Sequence, residues 1–132
     1  MMQHRPSQIL AQIRLVLGAC IVATAASACT SNPDLRLSDR GELGRSIATE
    51  SGCIACHGNQ GQGGVGPAWV GLIDSTVPLE TGESVSADVD YLRRSITMPG
   101  ADQVAGFNVL MPTNTLSETE IEAIVTYIQE LG

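Results

Sequence analysis

The chain is predicted to fold as an all-α domain with one small β-hairpin. Three observations predict this. Apolar residues recur at helical spacing in three separate segments, and a Ser or Asp able to cap a helix precedes each of them. A single short stretch, residues 76–85, alternates β-forming residues instead. No internal repeat or low-complexity tract interrupts the pattern.

Residues 1–28 read as an export signal and are expected to contribute nothing to the fold. His4, Arg5 and Arg14 make a positive start, residues 15–26 an apolar core, and Ala26-Ser27-Ala28 a small-residue cleavage site. The competing reading is an uncleaved anchor. The apolar run is only about a dozen residues, short of the roughly 20 that a membrane span needs. Cleavage puts Cys29 first in the mature chain, and Ala26-Ser27-Ala28-Cys29 looks like a bacterial lipobox without its usual leucine. Leu17-Gly18-Ala19-Cys20 fits that box better but follows Arg14 too closely to leave an apolar core. Cys29 is therefore the expected lipid site. Acyl chains contribute about 0.8 kcal/mol per buried CH₂, so multiple acylation would hold the protein at a membrane.

Removal of residues 1–28 takes two arginines and no acid. It leaves 5 basic residues against 14 acidic ones, a net of −9 where the whole chain carries −7. There is no lysine. Such a surface argues against nucleic acid or anionic lipid as partners, and favours a protein partner whose docking patch is basic or neutral. Residues 29–38, with Pro33, read as a polar tether, and residues 39–132 as one domain. Aromatic side chains are scarce in that domain: Trp69, Tyr91, Phe107 and Tyr127. A core so poor in large side chains is marginal unless it packs around something else.

The elements follow in order. Ser38 or Asp39 caps a first helix to about Ser51, with Leu43, Ile47 and Ala48 as its apolar side and Gly44 as a notch for a close neighbour. Residues 53–57 then read Cys-Ile-Ala-Cys-His, the signature of covalent attachment of a c-type haem. Two thiols three residues apart can each add to one haem vinyl group. The histidine that follows is then held against the iron as an axial ligand. A thioredoxin-like pair would need a preceding strand, and a zinc site a second ligand pair, and neither is in the sequence. Cys20 leaves with the signal and Cys29 carries lipid, so no thiol remains for a disulfide.

Residues 58–66 are glycine-rich, and without a preceding strand or a following Gly-Lys-Ser/Thr they do not read as a phosphate loop. They suit backbone that must pass close to a flat macrocycle. Residues 76–85 form the hairpin, turning at Thr81-Gly82. Ser86 or Asp88 caps a helix to about Thr97, with Val89, Leu92 and Ile96 as its stripe, Arg93 beside it and Arg94 pointing away. Ser117-Glu118-Thr119-Glu120 is a capping box, and Ile121, Ile124, Val125, Ile128 and Leu131 form the buried face of the helix it starts.

Electron-carrying haems usually have a second protein ligand, and a methionine there raises the potential because soft sulfur favours ferrous iron. Met98 and Met111 both precede proline. Met98 ends the Arg93 helix, where a core methionine is natural. Met111 lies in an irregular stretch before the last helix, where a loop can aim it at the haem, and it is the expected ligand.

With these pieces in place, residues 40–131 resemble the class I cytochrome c family. The order is that family's: a helix with Gly44, CxxCH, Gly66-Pro67, a middle helix, Met111-Pro112 and a final helix ending Thr126-Tyr127-Ile128. Residues 66–69, 91–96 and 104–107 look most like the cytochrome domain of caa3-type oxidase subunit II. Without an upstream cupredoxin domain or dicopper ligands in this sequence, the chain is not expected to be that subunit. The resemblance implies a class I cytochrome c fold around one covalent haem c. It also implies that the Pro67 carbonyl orients His57. Arg93 would pair with a haem propionate or stay a solvated surface arginine, and Trp69 would pack on the haem edge or in the core.

The expected function is a membrane-tethered, single-haem carrier of a respiratory chain, exported to the periplasm or the outer face of the cytoplasmic membrane. It would pass electrons between redox partner proteins and act on no small-molecule substrate, so it is not an enzyme. The alternative is a haem c subunit of a larger oxidoreductase, such as a terminal oxidase or a periplasmic dehydrogenase. A gas or redox sensor normally needs an open sixth position, which Met111 stands ready to close.

Overall fold

A computed structural model describes residues 36–132. The export signal, Cys29 and residues 29–35 of the expected tether lie outside the described residues. Helix α1 (Asp39–Glu50) is followed by the one-turn helix α2 (Ile54–His57), strands β1 (Thr76–Pro78) and β2 (Ser84–Ser86), helix α3 (Val89–Thr97) and helix α4 (Glu118–Glu130).

Each long helix begins as its sequence dictates. The Ser38 hydroxyl accepts from Gly41 N–H at 3.1 Å, and the Asp88 carboxylate from Tyr91 N–H at 2.8 Å. At α4 the box closes in both directions. Ser117 N–H and Oγ–H both donate to the Glu120 carboxylate at 2.7 Å, while Glu120 N–H donates back to Ser117 Oγ at 3.4 Å. The Ser117 hydroxyl first, then its backbone N–H, holds the Glu120 carboxyl below the usual carboxylate range. A depressed carboxyl pKa in the folded state stabilises the fold above the unfolded pKa, and that contribution is lost as pH falls through the folded value. Ser117→Ala removes the N-cap and should cost about 1 kcal/mol, the ordinary effect of losing such a cap. Urea unfolding at stepped pH should find the deficit shrinking once Glu120 is protonated.

α1 and α4 cross at very close range. A Cβ on Gly44 would overlap the Ala123 carbonyl and come within 2.9 Å of Tyr127 Cβ. The notch expected at Gly44 is thus used, by α4 at Ala123 and Tyr127. The contact face of α1 is Gly41, Gly44 and Ala48, all buried. Leu43, expected on the apolar side, is instead 49% exposed. Small residues admit the neighbouring backbone, so they occupy the contact row and Leu43 falls a third of a turn outside it. The end of α4 also holds the start of α1, since Ser38 N–H and Oγ–H donate to the two Glu130 carboxylate oxygens at 2.9 and 2.6 Å.

The hairpin forms where expected, antiparallel with Val77 opposite Val85, and turns through Gly82 at φ +85°. Beyond β1 the chain pairs again, Leu79 with Val104, which ties the long segment between α3 and α4 to the hairpin. The core gathers Trp69, Val77, Leu79, Tyr91, Leu92 and Ile96 against the inner face of α4, where Val125 and Tyr127 are the most deeply buried large side chains.

Candidate haem site

Cys53 backbone atoms close the turn that begins α2, with His57 N–H donating to Cys53 O at 3.1 Å. The short helix therefore keeps the two thiols and the imidazole together. Gly58 ends it at φ +85°, a conformation open to glycine, and the glycine-rich run folds back along the histidine. A Cβ on Gly66 would stand 3.0 Å from His57 Cε1, so this glycine lets backbone pass against the ring.

Two neighbours fix the imidazole. His57 Nδ1 lies 2.7 Å from the Pro67 carbonyl oxygen. A carbonyl only accepts, so Nδ1 carries the proton and Nε2 keeps its lone pair for a metal. Burial pushes the His57 pKa down while the Pro67 contact pulls it up, and the lowering dominates. A neutral ring is the form that ligates. Trp69 stacks on the opposite side, with ring centroids 4.6 Å apart and planes 17° from parallel, and meets Tyr127 edge-on at 6.0 Å. Trp69 is only 6% exposed and also lines the cleft, so it is core and site wall at once.

Cys53, Cys56 and His57 line a cleft of about 370 Å³. Its walls are largely apolar, with Leu72, Leu92, Ile96, Phe107, Ile124 and Ile128 among them. Both thiols are free. Burial first, then the nearby Cys56, raises the Cys53 pKa against its own backbone hydrogen bond, which keeps the thiol protonated. Net addition of a thiol across a vinyl group would put its sulfur on one carbon and its proton on the other, so each cysteine could bond the haem without an oxidant.

Met111 is half-buried and lines this cleft, whereas Met98 is 59% exposed and does not. Asn114 accounts for part of the difference. Its Nδ2–H donates to the Ile96 carbonyl at 2.8 Å, clamping the Met111 loop onto the end of α3. Arg93 is not in the cleft. Its guanidinium holds Glu122 and reaches Asp90 at 3.0 Å and Glu118 at 3.5 Å, joining α3 to α4. Three carboxylates surround this cation, where the sequence reading offered a haem propionate or solvent. Arg94 instead binds Asp102 at 2.6 Å, with its charge 5.9 Å from the Tyr91 ring. Tyr91, Ser95 and Asn114 line the cleft, although the sequence reading gave them no role in the site. The four-residue spacing of Tyr91 and Ser95 on one helical stripe could have marked them, while nothing local marks Asn114.

Residues able to bond a porphyrin twice, ligate its metal and bury its flat face define a haem-attachment domain. Residues 41–132 match the family described as cytochrome c, and the chain belongs to it. No curated protein matches the chain. Membership gives the domain a covalent haem c and an electron-transfer role. The apolar walls, the two free thiols and the ring with Nε2 available all fit that group.

Proposed function

We propose that this protein is a membrane-tethered, single-haem electron carrier of a respiratory chain, with His57 and Met111 as axial ligands. The observation that carries the reading is that both thiols, His57 and Met111 line one apolar cleft. The haem supplies reversible one-electron chemistry. The chain supplies everything that sets its working point. Pro67 orients and enriches the imidazole, Met111 provides a soft sulfur donor, and the apolar walls exclude water.

Docking is proposed at the cleft mouth. Val65, Val109 and Leu110 line the cleft yet are 55%, 58% and 55% exposed. Among the described residues no arginine lines it. An apolar rim on a strongly acidic protein suits a partner with an apolar contact patch set in a basic or neutral surround. Attachment through a lipid on Cys29, and export to the outer face of a membrane, are supported by the sequence of residues 1–29. A haem subunit of a larger oxidoreductase is the second reading, favoured by the likeness of residues 66–69, 91–96 and 104–107 to the caa3 oxidase domain.

Expression with haem-attachment machinery and purification in mild detergent tests the two readings together. A free carrier migrates alone, and a subunit migrates with its enzyme. Cys29→Ser should release the protein from the membrane fraction. Electron transfer to a basic partner should slow steadily as salt is added, since steering of this kind changes rates by about 10- to 1,000-fold. Rates that rise with salt would refute the docking proposal.

A further inference from the structure

Trp69 is the one tryptophan of the chain, and the fold fixes its place closely. Its backbone N–H donates to the Gly61 carbonyl at 2.7 Å, and Val70 N–H donates to the same oxygen at 3.0 Å. Gly61 packs so near that a Cβ there would stand 3.1 Å from Trp69 Cβ. From α4, Tyr127 meets the indole edge-on at 6.0 Å. An indole that only filled the core could stand at any angle to its neighbours. This one lays its face on the His57 imidazole, with centroids 4.6 Å apart and planes 17° from parallel. The pair is sheltered, since Trp69 is 6% exposed and His57 is half-buried.

An aromatic face is electron-rich, and that of tryptophan attracts positive charge within about 6 Å, most strongly away from water. An imidazole bound to ferric iron carries more positive charge than the same ring on ferrous iron. The indole face therefore favours the ferric state. The Pro67 carbonyl, 2.7 Å from Nδ1, works in the same direction by drawing on the ring proton. We propose that Trp69 is a positioning residue that acts through His57 and lowers the midpoint potential of the haem-loaded protein. The inference rests on His57 being an axial ligand, as proposed above. An indole that served only as an apolar wall would act with the opposite sign. Excluding water disfavours the more highly charged ferric site, so a wall alone raises the potential.

Because Trp69 stands alone, fluorinated tryptophan supplied during expression alters residue 69 and no other. Fluorine withdraws electron density from the ring face and leaves the shape of the indole nearly unchanged. Redox titration of the haem-loaded protein should find a midpoint potential that rises with each added fluorine. Trp69→Phe, which keeps a weaker face, should raise it as well, and Trp69→Leu further. A potential that ignores fluorine, or falls, would leave the indole as packing and overturn the proposal. A rise in Trp69→Leu with none in the fluorinated series would also overturn it, since shape and not charge would then be at work. The NMR spectrum of the ferric wild type checks the premise separately, because a ligated His57 should give strongly shifted imidazole resonances. Their absence would overturn the His57 reading, and this inference with it.

Discussion

Met111→Ala should abolish the sulfur-to-iron band of the oxidised protein and lower its midpoint potential by on the order of a tenth of a volt or more, within the roughly 0.8 V that axial ligands span. The cause is loss of the donor that favours ferrous iron. A harder donor such as water would replace the soft thioether, and ferric iron would gain. Met98→Leu should change neither readout, because Met98 is 59% exposed and does not line the cleft. Visible spectroscopy and a redox titration of both variants decide the matter. If Met98→Leu removes the band and Met111→Ala keeps it, the ligand has been assigned to the wrong methionine.

Gly44→Ala should destabilise the domain more than any other single methyl addition on α1. The new Cβ would overlap the Ala123 carbonyl, which is backbone of a helix buried along its length and cannot step aside. Overpacking typically costs about 1–3 kcal/mol, and a clash with main chain belongs at the upper end. For a domain of this size that corresponds to a fall in Tm of roughly 4–8 °C per kcal/mol. Gly82→Ala is a useful contrast, since a Cβ there meets nothing within 4 Å and only the φ of +85° opposes it. Thermal unfolding of the two variants should rank Gly44→Ala well below Gly82→Ala. Equal effects would mean that α1 and α4 can separate at little cost.

The parts of this fold that were legible in the sequence are those whose chemistry is local. Haem attachment needs two thiols and a histidine within five positions, so Cys53, Cys56 and His57 announce themselves. A capping box is likewise complete within four residues, and Ser117 and Glu120 close it as expected. The hairpin turn at Gly82 needs only its own glycine. Legibility ended where a side chain's fate depends on segments distant in the chain. The helical wheel placed Arg93 beside an apolar stripe and could not know that Glu118 and Glu122 would arrive from α4. Leu43 looked like a core residue because hydrophobicity was weighed without the backbone approach that selects glycine and alanine instead. The two Met-Pro dipeptides are alike and only their place relative to the helices favoured Met111; a single asparagine clasping a carbonyl on α3 is part of what separates their surroundings.

The clasp between Ser38 and Glu130 has a mechanical consequence. It ties the point where the chain enters the domain to the last turn of the final helix, at 2.6 and 2.9 Å. A tug on the domain from its N-terminal side is therefore received as a shear along the α1–α4 pair, the most closely interlocked part of the molecule. The loop bearing Met111 and the ring held by Pro67 are not on that load path. In the carrier proposed above, such a domain could be swung, pulled or pressed against a partner without disturbing His57 or Met111. In the language of electron transfer, a load on the domain and the reorganisation energy of its site would be decoupled.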